Sequence, residues 1–167
     1  MLNESTLRQL YQSAVDAFPN TTKRQHATHP IVITHLTWLP YLGVKTLFVK
    51  GLAQSEGKEY NPLVLFKGVN YHKEKRPTSV ELMDNSQKTY FLEQLSFERN
   101  DALVRCNCPD FHWRFQHYDK LDKSLYGKDR KKYVAITGRE ANPMKMEGMC
   151  KHIMKLMEVL GQSTVIQ

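Results

Sequence analysis

Apolar and polar positions follow two rhythms along this chain, and each predicts a different kind of element. Leu7, Leu10, Tyr11, Ala14 and Phe18 recur at i, i+3, i+4, i+7 and i+11, the repeat of a helix with one apolar stripe. Asn3 or Ser5 can cap its start and Pro19 ends it. The stripe is expected to bury against a sheet of the same chain rather than against a neighbouring subunit. Residues 21–30 are polar, contain Lys23, Arg24, His26 and His29, and read as an extended arm whose histidines face solvent.

From residue 31 the rhythm changes. Residues 31–38, 45–54, 63–69, 79–83 and 89–98 are rich in Val, Ile, Thr and aromatic residues and are separated by Gly, Asn and Pro, the composition of strands and turns. Ser55-Glu56-Gly57-Lys58 reads as a hairpin loop. Asn100-Asp101 reads as a second turn, feeding a strand over residues 102–108 that Pro109 stops. The helical rhythm returns in Ile153, Leu156, Met157 and Leu160, with Gly161 as a stop, so the last helix should span about ten residues. The expected fold is α+β: a small antiparallel β-sheet between an N-terminal amphipathic helix and a C-terminal helix.

Composition narrows the picture modestly. A 167-residue chain with 41% apolar and 25% charged residues is an ordinary globular protein, and one domain is the default at that length. No stretch approaches the apolar run of a membrane span and no signal peptide is evident, so a cytoplasmic location and no membrane partner are expected. The formal net charge is +7, which invites attraction to phosphate. The excess is spread over both halves of the chain. The one local patch is Lys128-Asp129-Arg130-Lys131-Lys132, read either as a solvated loop or as a nucleic-acid contact through Lys128, Arg130, Lys131 and Lys132.

The chemistry concentrates in four residues. Cys106, Cys108, Cys150 and His152 spell Cys-x-Cys and, after a long gap, Cys-x-His, and they use every cysteine in the chain. Three thiolates and an imidazole are the donor set that suits one zinc ion held tetrahedrally. On a strand, positions two apart share a face, so Cys106 and Cys108 could meet one ion. Cys150 would lie in a turn made flexible by Gly148, and His152 in the first helical turn. Three thiolates with Zn²⁺ leave a charge of −1, to be offset by the positive end of the last helix and by Arg105 and Lys151. Four protein ligands leave no open position, which makes the expected ion structural.

Competing readings remain at this stage. The cysteines could be reduced, buried thiols, or one could be a nucleophile with a histidine near it. His112 or His117 could replace His152 as the fourth ligand. Phe111, Trp113, Phe115 and Tyr118 fit either helix or strand, and either a dry shell around the metal or a base-stacking platform beside Arg114. Acidic residues show no paired-carboxylate spacing, and no enzyme is expected.

At these residues the chain resembles the SWIM-type zinc finger, in Val104-Arg105-Cys106-Asn107-Cys108-Pro109-Asp110-Phe111 and in Gly148-Met149-Cys150-Lys151-His152-Ile153. The 41 residues from Pro109 to Met149, with their aromatic run and Asn142-Pro143, resemble the long-insert variety of tailed bacteriophages. The resemblance covers about residues 88–160. It implies zinc at Cys106, Cys108, Cys150 and His152, and a binding module rather than an enzyme. The organisation expected is one domain over 1–167: a helix and arm at 1–30, a β core at 31–100, and a zinc module at 101–160 with an insertion at 109–149. The function expected is a structural component of a virion neck, tail or baseplate, with other subunits as partners, homo-oligomeric or neighbouring. A nucleic-acid-binding module is the alternative.

Overall fold

The computed structural model describes residues 5–19, 30–128 and 140–167. Helix α1 (Leu7–Ala17) turns its stripe inward, with Leu7, Leu10 and Ala14 fully buried in the core of this chain. Its cap differs from expectation. Thr6, not Asn3 or Ser5, stands at the N-cap: Thr6 Oγ1 accepts from Gln9 N at 3.3 Å while Gln9 Oε1 accepts from Thr6 N at 2.9 Å. This reciprocal pair satisfies two amides at the helix start. Ser5 is occupied otherwise, its hydroxyl donating to Asp122 and its carbonyl accepting from Ala102 N; Asn3 and the arm histidines lie outside the described residues.

The described strands form two antiparallel sheets instead of one. The larger runs β1 (Val32–Tyr41), β2 (Thr46–Ser55), β4 (Leu63–Phe66), β8 (Ala102–Arg105), with β3 (Lys58–Tyr60) also paired to β2. The smaller runs β5 (Tyr71–His72), β7 (Thr89–Glu93), β6 (Ser79–Met83). Side chains alternate across the pleat, so Leu47, Val49 and Ala53 of β2, Val64 and Phe66 of β4, and Ala102 and Val104 of β8 share the buried face. The β2–β3 hairpin turns at Glu56 and Gly57, both left-handed at φ 55° and 74°, as a two-residue turn matched to strand twist demands.

β1 is an edge strand, and an unpaired edge invites another chain. Here Asn85, from the β6–β7 turn, imitates a strand: its Oδ1 accepts from Trp38 N at 3.0 Å and its Nδ2 donates to Leu36 O at 3.1 Å. One amide side chain thereby ties the small sheet to the large one.

The hairpin expected around Asn100-Asp101 does not form. β7 stops at Glu93, and residues 95–97 pair instead with the C-terminal segment through Leu95 N to Val165 O and Phe97 N to Gln167 O, each at 2.9 Å. Asn100 redirects the chain: its Oδ1 accepts from Ser96 N and its Nδ2 donates to Lys67 O, both at 2.9 Å. The turn is thus clamped to the end of β4, and β8 pairs with β4 from Leu63↔Arg105 to Phe66↔Ala102.

Three further helices stand among the described residues: α2 (Pro109–Arg114), α3 (Gln116–Asp122) and α4 (Lys151–Leu160). Helix α4 has the expected length and the expected end at Gly161, and it buries Ile153, Leu156, Met157 and Leu160 in the common core. No helix among the described residues is long and apolar enough to cross a membrane.

Candidate metal centre

Cys106 and Cys108 do not sit on a strand. β8 ends at Arg105, Cys106 follows it, and Cys108 is the N-cap of α2. Pro109 does more than stop a strand: its fixed φ suits the first position of a helix, where no amide hydrogen is needed. The bend between the two cysteines is pinned from outside by Asn107, whose Oδ1 accepts from Asn61 N at 2.8 Å. Cys150 is the N-cap of α4, and His152 is the second residue of that helix. Both helices therefore start at a cysteine, but only the Cys108 sulfur caps its helix; Cys150 makes no side-chain cap bond. Cys108 Sγ accepts from Phe111 N at 3.3 Å, and positive helix ends favour anionic sulfur.

The four side chains converge. Cys106, Cys108, Cys150 and His152 are at most 2% exposed, and their donor atoms all lie within 4.8 Å of one another. His152 Nδ1 is 3.9 Å from Cys106 Sγ and 4.0 Å from Cys150 Sγ. A tetrahedron with metal–sulfur and metal–nitrogen bonds of ordinary length has edges of about 3.6–3.8 Å, and both His152–sulfur separations are near that length. No sulfur is bonded to another. The group could hold a metal ion.

Electrostatics in the absence of an ion run against three thiolates. Burial raises the Cys150 thiol, and its neighbours Cys106 and Cys108 raise it further. The Cys106 thiol is raised mainly by its hydrogen bond to Cys108, while Cys108 is held low by hydrogen bonds from Cys106 and Cys150. The three buried thiols therefore resist ionising together, since like charges in a buried site oppose one another. A dication reverses that balance, and the donor set fits one.

No family model, curated protein or solved structure matches the chain. The site is therefore read from its own residues.

His112 and His117 stand away from the cluster. The His112 ring meets Gln116 Oε1 at 3.3 Å, and the His117 ring packs edge-on against Tyr118. His152 is the imidazole that joins the thiols. Its other nitrogen, Nε2, is buried with no hydrogen-bond partner among the described residues, so the ring is oriented by packing against Tyr60, centroids 4.7 Å apart and planes tilted by 40°. Arg105 does not reach the sulfurs: its Nη1 donates to the carbonyls of Tyr126 and Lys128, at 3.0 and 2.7 Å. Lys151 does stand beside the cluster, lining with Asp110, Trp113 and Arg114 a pocket of about 470 Å³ against Cys108 and His152. Of the basic run, Lys128 offers its carbonyl to Arg105, and Arg130, Lys131 and Lys132 lie outside the described residues.

The aromatic run is helical and serves two ends. Phe111 and Phe115 are fully buried and Phe18 meets Phe115 edge-on at 5.6 Å, which makes them the dry wall between α1 and the cysteines. Trp113 is 47% exposed.

The approach to Cys150 depends on Gly148 and Asn142, whose roles differ from those expected, and on Asp119, which the sequence did not single out. Gly148 is required for space rather than flexibility: a Cβ there would lie 2.7 Å from Phe115 Cε1 and 3.0 Å from Ala14 Cβ. Its amide donates to Asp119 Oδ1 at 2.8 Å. Asp119 is fully buried, and burial raises its carboxyl well above the ordinary range. Asn142, also fully buried, donates to Arg114 O and Met146 O at 2.9 and 2.7 Å. An Asn-Pro before a Gly-x-Cys was the only sequence trace of this scaffold; Tyr60 left none, being remote in the chain.

Proposed function

We propose that Cys106, Cys108, Cys150 and His152 hold one zinc ion, and that the ion is structural. The observation that carries this is the convergence of four buried soft donors, within 4.8 Å, from two segments far apart in sequence. Zinc suits three sulfurs and one nitrogen, and four protein ligands leave no position for water or substrate. Bound there, zinc supplies charge neutralisation and a cross-link; the protein's residues supply the cage. The ion would tie the end of β8 and the start of α2 to the start of α4.

The reading that follows is a non-enzymatic, zinc-stabilised interaction protein of SWIM type, working as a subunit of a tailed-phage particle. The ligand pattern, the long insertion with its aromatic run, and Asn142-Pro143 support it. Native mass spectrometry with and without chelator tests it. One zinc per chain, with discrete oligomers that fall apart on chelation, is the expected result; a folded chain that takes up no metal would falsify it.

A second reading, nucleic-acid binding, is favoured by one observation. Exposed Trp113 shares its pocket with Lys151 and Arg114, an aromatic face beside cations that suits an unpaired base. Affinity falling steeply with salt would select this reading, since apolar subunit docking does not behave so.

A further inference from the structure

Among the described residues several opposite charges pair: Lys75 with Glu81, Arg114 with Asp110, Lys155 with Glu158. One concave place breaks the habit. A pocket of about 560 Å³ is lined by Leu42, Lys45, His72, Lys73, Arg76 and Glu93, together with Asn70 and Tyr71. Lys45, Lys73 and Arg76 come from the β1–β2 turn and from the loop after β5, and none of the three makes a salt bridge among the described residues. The single carboxylate, Glu93, is already engaged by His72 Nε2 at 2.8 Å and by Thr78 Oγ1 at 3.2 Å. Its hydrogen bond to His72 keeps it in the ionised, low range. The pocket therefore presents three cations and one carboxylate, which His72 and Thr78 engage directly and Arg76 attracts from beyond ion-pair distance.

The walls are fixed before any ligand arrives. Val69 N donates to Lys45 O at 2.9 Å, Tyr71 Oη donates to Thr46 O at 2.6 Å, and Glu93 N donates to Asn70 O at 2.9 Å. These bonds tie the β1–β2 turn to β5 and β5 to β7. Lys45 itself is held left-handed, φ 51°, as the residue that ends the short helical turn Leu42–Val44, its amide donating to Leu42 O. Like charges gathered around a concavity repel one another unless an anion joins them.

We propose that this pocket binds a phosphate group. Lys45, Lys73 and Arg76 supply the charge, with Arg76 able to take two oxygens at once, and the His72–Glu93 pair forms the floor. The volume exceeds what one oxyanion fills and falls in the range of small-ligand sites, so the phosphate is carried on a larger molecule, a nucleotide or a nucleic-acid strand. The site shares no residue with the Cys/His cluster and does not depend on the reading of that cluster or of the basic run at 128–132.

The test uses the full chain as purified. Inorganic phosphate is titrated by calorimetry, and a labelled oligothymidylate by fluorescence anisotropy across a salt series. Lys73→Glu/Arg76→Glu is compared with Lys50→Glu/Lys58→Glu, an equal charge change on exposed positions elsewhere. If a strand is the ligand, the pocket variant loses at least about tenfold in affinity and its log–log salt slope shrinks by about 1.4, two contacts at ~0.7 each; the control loses less than about twofold. Phosphate binding that only the pocket variant abolishes, with no strand binding, assigns the site to small phosphorylated ligands. Equal losses in both variants, or no binding of either probe to the unmodified protein, overturns the proposal, and neither outcome touches the metal count.

Discussion

The sheet and the metal-site module of this protein are stabilised by different means, although both face one core. The large sheet is closed by its own backbone: β1 and β2 are paired along their length, and β4 joins β2 to β8. Its buried face follows from alternation alone. The stretch from Cys106 to Lys151 has short helices, and its described part over residues 140–150 contains no helix or strand. There the chain is fixed by side chains reaching backbone, Asp119 to Gly148 and Asn142 to Arg114 and Met146, and by the convergence on four donors. A backbone ladder is cooperative and local, whereas single side-chain ties must each be kept. A region of the second kind gains most from an ion.

The sharpest way to break this contrast is Cys150→Ser or removal of metal by chelation. Structural zinc is worth about 10–16 kcal/mol in small zinc folds at neutral pH, so amide protection in α2 and α4 should collapse while β2 and β4 keep theirs in hydrogen exchange. Loss of both regions at one midpoint would show a single cooperative unit and erase the distinction. Acid should act in the same direction, because the thiols must lose protons to bind the ion: metal release is expected as pH falls, followed by thiol-sensitive absorbance.

Tyr60→Ala is the next largest test. It removes the ring that orients His152 and should weaken metal affinity about 10–100-fold, the usual cost of losing support behind a ligand, measured by competition with a chelating dye. Gly148→Ala should destabilise by about 1–3 kcal/mol through overpacking against Phe115, seen in denaturant melts. Its effect should be larger in the metal-site amides than in β2.

These tests bear on how much could be read in advance. The helix from Lys151, its stop at Gly161, and the stripe of α1 were legible because a helix writes its burial in a period that needs no partner. The four donors were legible because soft ligands in two close pairs have few other uses. Asn100 was misread as a plain turn residue, since nothing local says that its amide reaches Lys67. The same holds for the cap at Thr6, where Ser5 was equally eligible until Asp122 took its hydroxyl.

Two smaller predictions sharpen the comparison. Asp119 has a raised carboxyl in the folded state, so folding takes up protons there and stability falls as pH rises from the unfolded carboxyl range through the folded one. Asp119→Asn keeps an oxygen for Gly148 and removes the titration of the buried carboxyl. Its melting temperature should exceed the parent's by roughly 2–4 °C at neutral pH, about 1 kcal/mol for a chain of this size, and the gap should close in acid. A gap that persists in acid would remove that titration as the cause. Asn85→Ala is the mildest, about 0.5–1 kcal/mol for exposed hydrogen bonds. Its telling readout is self-association by light scattering, because the β1 edge at Leu36–Trp38 is then open.

The sequence by itself determined the periods of burial, the α+β class, and the identity of the four soft donors, because these depend on residue type and short spacing. Tertiary structure alone decided that β8 lies beside β4, that the strands split into two sheets, that His152 rather than His112 or His117 meets the sulfurs, and that Lys45 joins Lys73 and Arg76 around one pocket. The physical reason is common to all four: each is set by side chains and edges that meet across long separations in the chain, where choice rests on competition among distant partners and no local pattern records the winner.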